Sequence, residues 1–296
     1  MSTSTVPQQS TTRPDPARTG RPVGRRFALR GRPRTFLSLL GSVVLGLGIW
    51  QLVVWLFRPP SFILPAPADV ITDLVRGLIL IPIQEGPLHR RGYLQPLLET
   101  LQPMVVGYLV GAGLAIAVAV ALAWVPALDR LILPLITAFQ SLPKIALAPL
   151  FVVWFGFGVS FRTLLVITVV FFPVLINARA GLYGVEEGRI RMAKVFGASP
   201  WKVMWKVRLP SALPFIFTGL ELGVIYALLG TIVAEFTAGG EGLGARMLTL
   251  QYANLVSGMF SILIIFALIG AVSHALVSFA HKRVVFWSPE SKGSSG

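Results

Sequence analysis

Lys144 lies in an apolar run over residues 131–155, close behind Gln140 and Ser141 and flanked by Pro143 and Pro149. A charge inside a membrane is costly and calls for a reason. Three are open: a carboxylate on a neighbouring helix, a route by which the stem reaches the interface, or a solute. In the last case Gln140, Ser141 and Lys144 form a cationic, hydrogen-bonding wall that draws in an anion. Two acids, Glu221 and Glu235, also stand in apolar runs. Structural pairing is the favoured reading for both, and Glu235 is kept with the other three as a candidate for a path. Nothing supports catalysis. His89, His274 and His281 have no metal-ligand spacing, and there is no cysteine. The phosphate-cradling pattern Gly-x-x-x-x-Gly-Lys-Ser/Thr is absent. The expectation is no catalytic site, no cofactor and no metal, with the energy for any work supplied by another subunit or an ion gradient.

The elements that must carry these residues are helices in lipid. The chain is 54% hydrophobic and 13% charged, with a mean hydropathy of +0.75. Apolar runs of about 20 residues cross a ~30 Å hydrocarbon layer as helices, because lipid leaves no partner for unpaired amides. Six such runs predict an all-α polytopic membrane protein: 36–57, 101–125, 131–155, 163–183, 213–236 and 258–280. The prolines at 143 and 149 predict a kink in the third, with freed carbonyls that need a polar partner. Gly107, Gly111 and Gly113 give the second a face for close helix packing. A 3.6-residue pattern over 68–80 predicts an amphipathic helix on the outer surface.

The net charge of +14 reports orientation rather than nucleic-acid binding. Lys and Arg crowd the 1–35 tail, the 179–208 segment and Lys282, Arg283 and Lys292. Fewer fall on the other side, at Arg58, Arg76, Arg90, Arg91, Arg162 and Arg246. By the positive-inside rule both termini are cytoplasmic. Residues 1–35 read as a disordered basic tail, 36–283 as one membrane domain and 284–296 as a C-terminal tail.

Between the fourth and fifth spans lies a patterned segment over 186–214. Glu186 and Glu187 open a helix and Arg189, Arg191 and Lys194 follow toward its end, as the helix dipole favours. Gly197 is a left-handed stop. Ser199 and Pro200 restart the chain as N-cap and first helical residue. The second helix, over 200–208, places Trp201, Met204 and Trp205 on one stripe, and Leu209-Pro210 is expected to end it. The stripe suits either packing on its own protein or docking in a partner's groove.

The segment resembles the cytoplasmic coupling loop of binding-protein-dependent ABC importer permeases. That pattern runs Glu-Ala-Ala, three residues, Gly-Ala, then a hydrophobic stretch to Leu-Pro. Gly197-Ala198-Ser199, Leu209-Pro210 and Ala212-Leu213-Pro214 match it. Arg191 and Met192 depart from it, standing where the pattern has Glu and Ala. Residues 62–67, 141–156 and 231–244, the last with Ala234-Glu235, are similar to the nitrate/sulfonate/taurine permease subfamily. The resemblance covers residues 60–280. It implies a transmembrane permease subunit in a bacterial inner membrane that moves a small solute, an anion such as a sulfonate, taurine or nitrate, by alternating access. It implies two ABC ATPase subunits docked on Gly197, Ala198, Ser199, Pro200, Trp201, Met204, Trp205, Leu209 and Pro210. An extracytoplasmic solute-binding protein and a second permease copy, as a homodimer, complete the implied set. The alternative is a gradient-driven secondary transporter. It needs midplane ion-coupling groups and usually inverted repeats, neither of which is apparent.

Overall fold

A computed structural model describes residues 33–79 and 92–287. Of the expected tails, 1–32 and 288–296 lie outside the described residues, as do Arg90 and Arg91. Every regular element among the described residues is helical: α1 (Pro33–Phe57), α2 (Pro67–Ile79), α3 (Leu94–Trp124), α4 (Pro126–Ser141), α5 (Ala148–Phe155), α6 (Val159–Tyr183), α7 (Glu187–Val195), α8 (Pro200–Val203), α9 (Leu209–Ala238), α10 (Leu243–Tyr252) and α11 (Val256–Val284). A tight turn over Lys144–Leu147 precedes α5, and a wide π turn over Met204–Arg208 joins α8 to α9.

Four continuous helices are long and apolar enough to cross a membrane: α3, α6, the joined helix Pro200–Ala238, and α11. The expected span over 131–155 is not one kinked helix. It starts earlier, at Pro126, breaks after Ser141, and turns by 84° into Lys144–Phe155. Pro143 explains the break, since it forces Leu142 into extended backbone (φ −71°, ψ 139°) and offers no N–H to continue the ladder. Counted as one, the bent pair makes a fifth candidate span. The described apolar part of α1, Gly41–Phe57, is a shorter helix.

α6 is the central helix, with α3 along one side and α9 along the other. Phe161, Leu165, Val166, Val170, Val174 and Ala178 bury its surface. Lipid tails are as apolar as these residues, so close packing and not water exclusion must hold the helices together. Glycine supplies it. A Cβ on Gly107 would lie 2.6 Å from Val166 Cβ, and one on Gly111 would lie 2.9 Å from the Ile167 carbonyl. Gly113 faces open space and takes no part in this contact. From α9, Gly219, Gly223 and Gly230 approach Asn177, Val174 and Val169 in the same way.

The two ends of this bundle differ. At one, α7 and α8 join α6 to α9. At the other, α2 and α10 cover the start of α11, where Ser261 Oγ donates to the Val70 carbonyl at 3.1 Å. α1 stands to the side and meets α11 through Trp50 and Phe260, ring centroids 5.3 Å apart.

Candidate functional site

At the α7 end the local signals act as the sequence predicts. Gly197 takes φ +76°. Its N–H donates to the Lys194 carbonyl and that of Ala198 to the Ala193 carbonyl, at 2.9 and 3.0 Å. This is the two-bond Schellman closure, which needs a left-handed residue there. Ser199 Oγ accepts the Lys202 N–H at 3.4 Å with Pro200 in the first turn. Arg191, which stands where the loop pattern has an acid, pairs one turn back with Glu187, both fully in solvent.

Leu209-Pro210 does not end the second helix. The chain runs helically from Pro200 to Ala238 over 39 residues. The π turn is the reason: Leu209 N–H reaches back five residues to the Met204 carbonyl. That widening makes room for the Pro210 ring, which would otherwise strike the carbonyl four residues earlier. The segment is therefore rigidly continuous with a membrane-crossing helix.

The expected Trp/Met/Trp stripe divides. Met204 is buried in the bundle, whereas Trp201 is 62% and Trp205 44% exposed. The Trp201 ring lies between those of Trp205 and Trp124, at 5.4 and 5.5 Å. Beside them Met192, Val195 and Phe196 are also bare, Val195 at 84% and Phe196 at 81%. In the sequence Met192 stood out only as a departure from the loop pattern, and Val195 and Phe196 were passed over. A Met-x-x-Val-Phe run just before a glycine stop was the available signal. Beneath them the bundle is tied by Arg179, which holds Asp129 through two bonds of 2.7 and 2.8 Å, and by Tyr183 Oη on the Leu122 carbonyl at 3.0 Å.

The break between α4 and α5 builds the second feature. Lys144 Nζ donates to the Gln140 carbonyl at 3.0 Å, one of those left free at the end of α4. The ammonium also lies 4.9 Å from the centre of the Phe172 ring. Gln140 and Lys144 line a cavity of about 300 Å³ with Leu142, Pro143, Ile145, Val169, Phe172, Pro173 and Tyr226. Ser141 is not in the lining and donates to the Thr137 carbonyl at 3.2 Å.

Glu235 is elsewhere, fully buried at the α10 end. Its Oε2 accepts the Gly244 N–H at 2.7 Å. Glu99 Oε2 takes the Gly242 N–H and Thr100 Oγ1 the Leu243 N–H, both at 2.9 Å. Two acids and a hydroxyl from α3 and α9 thus satisfy the free amides at the start of α10, where negative charge is favoured. Arg162, itself buried, pairs with Glu241 at 2.6 Å. Tyr93 donates to Asp73, and burial together with that carboxylate pushes its phenol above the ordinary tyrosine range. Glu99, Thr100 and Tyr93 were not singled out in the sequence. Glu221 is paired as read, with His281 Nδ1 at 3.0 Å, whose ring stacks on Phe217. No group of three His, Cys, Asp or Glu among the described residues could hold a metal ion.

The bundle of membrane-crossing helices around a glycine-packed central helix, with a helical segment projecting between two of them, has a counterpart among solved structures. A chain of the MetNI methionine ABC transporter, in an inward-facing conformation, superposes with a TM-score of 0.52 at 22% identity, over 64% of this chain and 92% of that one. Residues 107–286 match the family described as the binding-protein-dependent transport system inner membrane component, and the chain belongs to that family. The riboflavin transport system permease protein RibX of Chloroflexus aurantiacus is 32% identical over 85% of this chain and 90% of its own length. The putative aliphatic sulfonates transport permease protein SsuC of Bacillus subtilis is 29% identical over 86% and 88%. The taurine transport system permease protein TauC of Escherichia coli is 32% identical over 69% and 73%. The protein is thus a polytopic permease of the ABC importer family.

Proposed function

We propose that this chain is the membrane-spanning subunit of an ATP-driven importer that carries a small anionic solute into the cytoplasm. ATP hydrolysis belongs to a separate subunit, two copies of which dock on Gly197, Ala198, Ser199, Pro200, Trp201, Trp205 and their exposed neighbours Val195 and Phe196. Met204, Leu209 and Pro210 form the stem that joins this surface to α9. The observation that carries the reading is a bare apolar surface shared by the end of α7 and by Trp201 and Trp205, which stand on the helix continuous with a membrane span. Such a surface needs a cover, and a rigid helix pushed at one end moves at the other. Two permease copies form the pathway and an extracytoplasmic binding protein delivers the solute. The permease domain covers 36–283 with six spans, α1 and the broken α4–α5 pair included, and the distribution of Lys and Arg puts both termini in the cytoplasm.

Lys144 and Gln140 line the path by this reading, and an anion is the solute their charge favours. The permeases of sulfonates, taurine and riboflavin among the relatives bracket the solute's size. Import must be driven by a difference in solute affinity between outward and inward states. The test is uptake into proteoliposomes holding the chain with its co-purified ATPase. Uptake requires ATP and falls with Gly197→Pro and with Trp201→Ala while membrane insertion is unchanged. Uptake that continues without ATP and collapses with the ion gradient contradicts the proposal.

A further inference from the structure

Lys144 sits at a depth where a charge must be accounted for. Phe172 and Pro173 lie within one turn of the middle of α6 (Val159–Tyr183), and Tyr226 is similarly central in α9 (Leu209–Ala238). The cavity these residues line is therefore at mid-depth, as a groove open to the outside of the bundle, where Gln140, Leu142, Ile145 and Tyr226 are exposed. Among the described residues no carboxylate pairs with Lys144; its contacts are the Gln140 carbonyl and the Phe172 ring. An ammonium has three N–H donors, and the Gln140 carbonyl takes one. A dipole and an aromatic face soften the cost of the charge but do not neutralise it. The cavity walls supply no acid either, since Gln140 and Lys144 are its two polar side chains besides the Tyr226 hydroxyl.

Resting on the importer reading above, we propose that this cavity is a solute site for a small organic monoanion, a sulfonate or carboxylate carried on an apolar body. The anionic group pairs with Lys144 Nζ and takes a hydrogen bond from the Gln140 amide. The apolar body lies against Phe172, Val169, Ile145 and Tyr226. A small ring can lie along Val169, Ile145 and Tyr226 beside the Phe172 ring, whose face already carries the Lys144 ammonium. The same walls reject two other solute classes. Nitrate has no apolar body and leaves the aromatic lining unused. Taurine carries an ammonium that finds no acid here and is repelled by Lys144, and an uncompensated charge at this depth is excluded more strongly than a missing methylene. The volume of about 300 Å³ is at the small end of ligand pockets.

The experiment is equilibrium binding of radiolabelled benzenesulfonate to the full chain with its ATPase in lipid nanodiscs, with unlabelled taurine and nitrate as competitors. Benzenesulfonate is expected to bind saturably, and each competitor to need at least about tenfold higher concentration to displace it. Lys144→Met is expected to weaken binding about tenfold or more, Lys144→Arg to retain most of it, and Phe172→Leu to weaken it by less than Lys144→Met. The competition series uses the unaltered protein and so stands even where a variant fails to fold. Taurine competing as well as benzenesulfonate, Lys144→Met binding unchanged, or no benzenesulfonate binding at all overturns the proposal. ATP-dependent uptake that is indifferent to Lys144 overturns this site and leaves the importer reading intact. Uptake that needs no ATP overturns the importer reading, whatever the cavity holds.

Discussion

The two ends of the helical bundle are finished to different degrees. At the α10 end the free amides of Gly242, Leu243 and Gly244 are taken by Glu99, Thr100 and Glu235, and Arg162 and Tyr93 each hold an acid. At the α7 end the backbone is equally well closed, through Gly197 and Ser199, yet Val195, Phe196 and Trp201 are left in the open. One end caps the free amides of its helix start with buried and half-buried side chains, although Glu235 Oε1 and Arg246 Nε are buried there without a partner. The other satisfies its backbone and leaves its apolar side chains for something else. A short segment with a well-defined shape and an uncovered apolar surface is what a docking element requires, because little ordering remains to be done when the partner arrives.

Two left-handed glycines, one at each end, give the sharpest contrast. Gly242 has φ +93°, and a Cβ there would lie 2.1 Å from Glu235 Oε1. Gly242→Ala combines backbone strain with a clash against a buried side chain and should cost roughly 3 kcal/mol or more, read as a lower unfolding midpoint in detergent. Glu235→Ala follows, with an expected loss of about 1–3 kcal/mol because the Gly244 N–H and the cavity are left unfilled. At the other end, the double variant Phe196→Ala and Trp201→Ala should lower the midpoint only by the loss of the Trp201 ring contacts, about 1 kcal/mol, and weaken ATPase association by about 2 kcal/mol, near thirtyfold, in a pull-down titration. Gly197→Ala meets nothing within 4 Å and bears only its positive φ. Its cost should be about 1 kcal/mol, confined to the α7–α8 turn. Ser199→Ala is the smallest, near 0.5 kcal/mol, since its capping bond is long at 3.4 Å. A Gly197→Ala midpoint as low as that of Gly242→Ala would erase the distinction between the ends.

The sequence made the helices and the turn at Gly197 readable because both obey local rules. Apolar runs of membrane length are hydropathy, and Gly-Ala-Ser-Pro is capping chemistry over four residues. Pro210 misled because its usual effect was cancelled by a π turn that no residue type announces. The close packing was half legible: Gly107 and Gly111 meet α6, but Gly113 on the same helix faces outward, and the matching glycines 219, 223 and 230 were passed over. Glu235 was conspicuous as a buried acid, yet its role depends on Glu99 and Thr100, which meet α10 across 143 residues of chain. Val195 and Phe196 were hidden by their own type, since apolar residues are read as core until a structure leaves them bare.

Hydrogen–deuterium exchange on the chain alone and with its ATPase subunit compares the two ends in a single experiment. Docking at the α7 end predicts that amides over 192–205 slow on addition of the ATPase while those of 242–244 keep their already slow exchange. Unchanged exchange over 192–205 in a complex shown to have formed would contradict the docking role of that surface.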